Sequence, residues 1–349
     1  MRSPHMRHQE RTGRPPPRRH PASEGSNRAM DIRLRNHQDL IMRLPFMVLV
    51  IGALGVLTAP VAVAATSSSA SLNVVAMGDS YGSGTGAGNY RPGTEGTCYR
   101  SENSYSSVIV DTLRQSGKQV QFTNVTCSGA AIKTLGQTFK DQPPQLDALR
   151  RDTDVVMLSI GTTDVDFAGY GGVCIQADCT GAPTKAILSR LPGMGKALNS
   201  LLTDIKARSP HAKIVVTGYG QQVTRGENAA NVPLDPICDS QVFSDEERVQ
   251  GNNVSSALDV TLRLATLAAK AQRVDVQFVS PYTNSVNLQP EFAGHSLCES
   301  APQFYRGFDA LAPGQEGPDA VLHLNQQGQA AMADLIQRKV PVLAGSAQP

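Results

Sequence analysis

An apolar run that breaks at Gly-Asp-Ser constrains this chain more than any other feature. Val74-Val75-Ala76-Met77 leads directly into Gly78-Asp79-Ser80-Tyr81-Gly82-Ser83-Gly84. Apolar, β-branched residues bounded by turn formers predict a buried strand. The glycines that follow let the backbone turn sharply and admit close approach by a ligand or another segment. Ser80 is thereby placed at the C-terminal end of a strand, near the start of a helix. Open parallel sheets put their ligands there, and backbone N–H groups there face incoming negative charge. Two other readings of the stretch compete. One is a glycine-rich turn with a solvated serine. The other is a nucleotide loop, because Gly82-Ser83-Gly84-Thr85-Gly86-Ala87 fits G-x-G-x-x-A. Against the second, the glycines begin past a serine already at the strand end. The next predicted strand, near 121–124, also ends without the acidic residue that would hold a ribose.

The remaining chain repeats the strand-then-helix alternation. Helical spacing over 104–116 (Val108, Ile109, Leu113) stops at Gly117 and gives way to a strand over 120–125. A short helix is predicted over 144–150 and a strand over 154–160, broken by Gly161. A loop over 169–183 carries two cysteines and precedes a helix over 184–207 and a strand over 212–217. Ser244-Asp245-Glu246-Glu247 reads as a capping box opening a long helix to about residue 271, followed by a strand over 274–280 and a closing helix over 325–340. Five strands alternating with helices predict an α/β domain: a parallel sheet covered on both faces, three layers α/β/α. The loops at one sheet edge should then gather Ser80, Gly129 and residues 161–164.

The N-terminal 65 residues differ from the rest. Residues 1–41 are rich in Arg, Pro and His without apolar periodicity, which predicts a disordered basic leader. Residues 42–65 combine a basic flank, an apolar core and Ala62-Val63-Ala64, the composition of a signal peptide. The apolar run is short for a membrane span, with an uncleaved anchor as the alternative. Met42 is a more ordinary start than Met1, so the leader reads as a gene-start artefact or a long n-region. Residues 66–72 read as a Ser/Ala linker, 73–342 as the folded domain and 343–349 as a disordered tail. The whole chain has 32 basic and 30 acidic side chains; residues 1–65 hold ten Arg and four acids, so the remainder carries 22 against 26, or −4. A basic groove for nucleic acid is therefore not expected. All six cysteines, Cys98, Cys127, Cys174, Cys179, Cys238 and Cys298, lie in this exported part. An even count predicts three disulfides, and sequence order suggests 98–127, 174–179 and 238–298. Zinc at Cys174 and Cys179 is the alternative, without a second pair or nearby histidine to complete it.

A serine hydroxyl needs a base to take its proton and donors to hold the oxyanion formed on attack. Three histidines follow residue 65: His211, His295 and His323. His211 lies between a helix and a strand, at the edge opposite Ser80. His323 precedes the last helix and is the best-placed base, with His295 in reserve.

Several motifs together resemble the SGNH (GDSL-type) hydrolases, in particular secreted, disulfide-bonded bacterial lipases and esterases. Residues 78–84 look like the nucleophile block, and Cys127-Ser128-Gly129-Ala130 like the block whose glycine N–H lines the oxyanion hole. Ser159-Ile160-Gly161-Thr162-Thr163-Asp164 looks like the third block, Phe292 to Cys298 like F-x-G-H-x-x-C, and His323-Leu324-Asn325-Gln326-Gln327-Gly328 like H-P-N-x-x-G. The resemblance spans about 73–333. It implies a flavodoxin-like sheet of order 2-1-3-4-5, Ser80 as nucleophile, His323 as base and Asp319 as the acid. The oxyanion hole would use Ser80, Gly129 and position 163. No metal or organic cofactor is expected, and the substrate would be an ester or lipid handled by a monomer outside the cytoplasm.

The departures bear on activity. Thr163 stands where the family has asparagine, offering one donor from a shorter arm. Loss of such a donor typically lowers kcat by about 10²–10³. The usual Asp three residues before the histidine is Ala320 here, with Asp319 one residue earlier. Either a bulge restores Asp319, or a backbone carbonyl near Ala320 accepts the Nδ1 proton. Leu324 replaces the usual proline, and Gln303-Phe304-Tyr305 lies where relatives often carry tryptophan. Asp79 is expected only to shape the turn. The expected function is a secreted serine esterase or lipase working through an acyl-enzyme on Ser80. The alternative is a weakened or inactive protein of the same fold that binds a glycan or lipid.

Overall fold

The computed structural model describes residues 71–345. The leader, the signal peptide, most of the linker and the last four residues lie outside the described residues.

Strand formation follows the apolar runs. β1 (Leu72–Gly78) leads through the single turn α1 (Ser80–Ser83) to α2 (Tyr105–Gln115) and β2 (Val120–Asn124). β3 (Val155–Ser159) is buried along its whole length. It is followed by α3 (Phe167–Gln176), α4 (Ala182–Arg208), β4 (Lys213–Thr217), α5 (Asp245–Ala271), β5 (Val276–Val279) and α6 (Gln326–Lys339). All strand pairs are parallel, in the order β2-β1-β3-β4-β5. The expected fold and strand order are therefore present.

Strands covered on both faces explain why β1 and β3 read as continuous apolar runs rather than alternating ones. Val74 pairs with Val155, and the register ends with Gly78 opposite Ser159. Right-handed crossovers send α2 to one face and α4 and α5 to the other, because the chain reverses direction across the sheet between β1 and β3. Accordingly α4 packs on α5, while α2 packs on α6. Ile109 and Leu113 of α2 and Leu198, Leu202 and Ile205 of α4 are fully buried, each contributing roughly 1.5–3 kcal/mol of apolar transfer free energy. The reversal opens the crevice at the strand C-termini that this topology uses for ligands.

Caps match their sequence signals. Ser244 Oγ accepts from Glu247 N–H at the start of α5, and Glu247 Oε2 accepts from Ser244 N–H at 3.0 Å. Ser104 caps α2 from one side only, its Oγ accepting from Ser107 N–H.

Two local expectations need correction. Residues 169–183 are not a loop: α3 occupies Phe167–Gln176 and α4 starts at Ala182. Gly169, Gly171 and Gly172 each disfavour a helix by roughly 1 kcal/mol relative to alanine, so local propensity hides it. Burial of Tyr170 and Cys174 and the Cys174–Cys179 disulfide offset that cost. The helix expected over 144–150 is only a 3-10 turn, Gln145–Ala148. At the C-terminus, Leu343 is fully buried, so packing continues past residue 342. The cysteines pair as 98–127, 174–179 and 238–298, which leaves none of them free for zinc.

Candidate active site

The site is assembled from the ends of β1, β3 and β4. Gly78 closes β1 with φ +123°, and a Cβ there would collide with the Ser159 carbonyl, so only glycine lets β1 pass β3 this closely. Its N–H donates to Gln145 Oε1 at 2.6 Å and its carbonyl accepts from Gln145 Nε2 at 3.0 Å, which fixes the strand end.

Asp79 caps α1 and is completely buried. Its Oδ1 accepts from Tyr81 N–H (3.1 Å) and Ser159 Oγ (2.8 Å); its Oδ2 accepts from Thr162 Oγ1 (3.1 Å) and Tyr219 Oη (2.5 Å). Burial pushes the carboxyl up to about 6, against the pull of these four donors. The Tyr219 phenol is held well above its ordinary value by burial and by the Asp79 charge. One carboxylate thus ties together the loops after β1, β3 and β4, more than the turn shaping expected of it.

Ser80 is the first residue of α1, and its Oγ lies 2.7 Å from His323 Nε2. His323 sits between the 3-10 turn Pro318–Ala320 and α6. Its Nδ1 is 3.2 Å from the Val321 carbonyl. A carbonyl can only accept, so that bond places the proton on Nδ1 and leaves Nε2 free to accept from Ser80. Burial pushes the imidazole down to about 4, with the Val321 bond and the Asp319 charge pulling the other way. Asp319 itself is exposed, and no hydrogen bond joins it to His323. Of the two orienting groups expected, the backbone carbonyl is the one in contact.

Gly129 lies in a turn at φ +80°. The turn is held to β1 by Cys127 N–H donating to the Gly78 carbonyl (3.0 Å), and to the Cys98 loop by Ser128 N–H (3.1 Å) and the disulfide. Among the described residues, neither Ser80 N–H nor Gly129 N–H donates to a protein acceptor. Asp164 joins the third block to the same loop: both its oxygens accept from Ile132 N–H at 3.1 Å. Thr163 is exposed, and its side chain makes no hydrogen bond among the described residues; its neighbour Thr162 is the one turned toward Asp79.

The other histidines lie elsewhere. His211 is exposed at the start of β4. His295 stacks on Phe304 (4.0 Å between centroids, 10° between planes) and its Nδ1 meets the Pro302 carbonyl at 2.7 Å, so it braces its own loop. Of the glycines after Ser80, Gly84 caps the one-turn helix and Gly86 packs against His323, where an added Cβ would lie 3.2 Å from His323 Cβ. Tyr81, Gln145 and Tyr219 were not picked out by sequence reasoning as supports of this site, whereas Asp164 was expected at this edge. Tyr219 follows β4 at the strand end, the one positional signal that could have flagged it.

The family model described as GDSL-like lipase/acylhydrolase matches residues 76–331. The chain belongs to that family. A lipase of Streptomyces rimosus is 32% identical over 234 residues, covering 65% of this chain and 74% of the relative. Lipase 1 of Streptomyces coelicolor is 27% identical, covering 77% and 92%. Among solved structures, the extracellular lipase of S. rimosus superposes with a TM-score of 0.56 at 25% identity, covering 78% of this chain and 98% of that one. Phospholipase A1 of Streptomyces albidoflavus NA297 superposes at 0.60 with 22% identity, covering 78% and 100%, a likeness of fold. An ester hydrolase is the activity these relationships support. Within this GDSL chain, the matched region includes Ser80, Gly129, Thr163, Asp319 and His323.

Proposed function

We propose that this GDSL hydrolase is a secreted serine esterase or lipase that cleaves carboxylic esters through an acyl-enzyme on Ser80. The observation that carries the reading is the 2.7 Å contact between His323 Nε2 and Ser80 Oγ, with Nδ1 committed to the Val321 carbonyl. His323 takes the Ser80 proton as Oγ attacks the ester carbonyl. The imidazolium returns that proton to the leaving alcohol as the C–O bond breaks. A water then gives its proton to Nε2 and attacks the acyl-enzyme, releasing the acid and regenerating Ser80. The unpaired N–H groups of Ser80 and Gly129 are the main-chain donors to the oxyanion, and Thr163 is the side chain at the position where the family carries its third donor. The Val321 carbonyl performs the orienting role that Asp319 would have had, making a Ser–His dyad rather than a triad.

A small recess lined by Phe167, Tyr170, Val223 and Phe243, and also by the polar Gln222, Glu247, Arg248 and Asn252, reaches Leu322 beside His323. Export is supported by the signal-like segment 42–65, three disulfides, and likeness to a lipase described as extracellular. No helix among the described residues is long and apolar enough to cross a membrane. Oxidised protein is expected to hydrolyse short-chain p-nitrophenyl esters and to be labelled by a fluorophosphonate, with Ser80→Ala abolishing both. Absence of turnover and labelling in correctly oxidised protein would move the assignment to a glycan- or lipid-binding protein of this fold.

A further inference from the structure

Leu322, immediately before the candidate base, adopts φ +64°, a conformation that side-chain-bearing residues rarely take. The peptide between residues 321 and 322 carries the very carbonyl that meets His323 Nδ1, so the rotation at Leu322 sets whether that carbonyl reaches the ring. Both peptide planes flanking Leu322 are pinned. On the N-terminal side, Leu322 N–H donates to the Arg306 carbonyl at 2.8 Å. On the C-terminal side, Tyr81 Oη donates to the Leu322 carbonyl at 2.5 Å.

Tyr81 is itself held on every side. It is buried, its N–H is fixed by Asp79 and its carbonyl accepts from Gln329 Nε2 at 3.0 Å. Its hydroxyl accepts from Gln222 Nε2 at 3.2 Å, which directs the phenolic proton toward Leu322. Its ring lies 4.8 Å from the His323 ring and packs edge-on against Tyr219 at 4.8 Å. The residue next to the nucleophile therefore clamps the loop of the base, across 241 residues of chain.

We propose that Tyr81 is a positioning residue that does for His323 what a carboxylate would otherwise do. By anchoring the Leu322 carbonyl and covering the imidazole, it keeps Leu322 in its left-handed conformation, the Val321 carbonyl on Nδ1, and Nε2 aimed at Ser80. Without the hydroxyl, Leu322 relaxes to an ordinary conformation, the Val321 carbonyl turns away, and the imidazole loses its fixed tautomer. This rests on the Ser80–His323 reading for its catalytic meaning, and its structural meaning can be read without turnover.

The test is Tyr81→Phe, which removes one oxygen and keeps the ring. The expected result is a 10- to 100-fold fall in kcat on p-nitrophenyl butyrate with KM unchanged, while the oxidised variant keeps a cooperative melt. Histidine ¹⁵N NMR at neutral pH should show His323 in the Nδ1–H tautomer in the parent protein and in a mixture of tautomers in Tyr81→Phe. A merely structural tyrosine would lower Tm without shifting the tautomer. A kcat within twofold of the parent, or an unchanged tautomer, overturns the proposal. Should the variant not fold, the parent protein decides: the Tyr81 hydroxyl proton should exchange slowly and show a cross-relaxation contact to the His323 ring, and fast exchange overturns the clamp. If the parent hydrolyses no ester, the serine-hydrolase reading fails, while the NMR comparison still decides the Tyr81 contact.

Discussion

His323 Nε2 and Ser80 Oγ lie 2.7 Å apart at a sequence separation of 243. The contact is already within the range of a working base–nucleophile pair. Replacing His323 with alanine should lower kcat by about 10⁴–10⁶, the scale seen when a base acting as a unit with its serine is lost. Burial holds this imidazole at about 4, so Nε2 stays unprotonated down to that pH. The acid limb of kcat/KM should accordingly fall well below the ordinary histidine value of 6.5, which a stopped assay or fluorophosphonate labelling between pH 3.5 and 8 would reveal.

Asp319 contributes a charge near His323 but no hydrogen bond. Asp319→Ala should leave kcat within about threefold of the parent, because an exposed, screened charge is worth little. A drop of tenfold or more on ester hydrolysis would restore Asp319 as the orienting acid.

Thr163 stands exposed beside the crevice with no hydrogen bond from its side chain among the described residues. Thr163→Asn lengthens the arm and supplies an amide donor. It should raise kcat by about 10–100-fold if the added donor reaches the oxyanion. An unchanged kcat at equal Tm would mean that the loop does not present position 163 to the reacting carbonyl.

Asp79 has a folded value of about 6 against 3.8 when solvated. Between those values the native state binds the proton that the unfolded state has lost, so stability falls as pH rises from about 3.8 to 6. The shift corresponds to about 3 kcal/mol. His323 works in the opposite sense: its folded value of about 4 lies below 6.5, so its contribution rises with pH across that window and is complete above it. Asp79→Asn removes the first slope and keeps the second. Urea unfolding from pH 4 to 7 should show the variant gaining on the parent by about 3 kcal/mol as pH rises. Parallel curves would mean that Asp79 ionises in the native state at its ordinary value.

The three disulfides close segments of very different length. Their sequence separations are 5 for Cys174–Cys179, 29 for Cys98–Cys127 and 60 for Cys238–Cys298. Loop-closure entropy ranks their contributions at roughly 2, 4 and 4 kcal/mol. Double serine variants should therefore lose least stability at 174–179 by chemical denaturation. That bond should still matter locally, because it closes the glycine-bearing helix α3. Greater hydrogen exchange in 167–176 of the 174/179 variant, with little change in global stability, is the expected signature.

Legibility tracked the range of the interaction. β1 and β3 announced themselves through uninterrupted apolar runs, and α5 through Ser244 and Glu247, because each signal lies within one turn or one strand. α3 was hidden because Gly169, Gly171 and Gly172 argue locally for a loop, while the burial of Tyr170 that favours the helix depends on the packed core. The choice between Asp319 and a carbonyl was open in the sequence because spacing from a histidine does not reveal φ at Leu322.

The order of apolar and polar residues alone determined that strands would alternate with helices and that Ser80 would stand at the end of the first strand; the motif blocks named Gly129 and His323 as its partners. The tertiary structure decided how they are held. Asp79 gathers donors from three strand ends, and Tyr81 reaches the Leu322 carbonyl, only once the sheet has placed those loops side by side. The reason is physical: periodicity is written in consecutive residues, whereas a buried hydrogen bond depends on which distant donors the packed sheet leaves within about 3 Å of an acceptor.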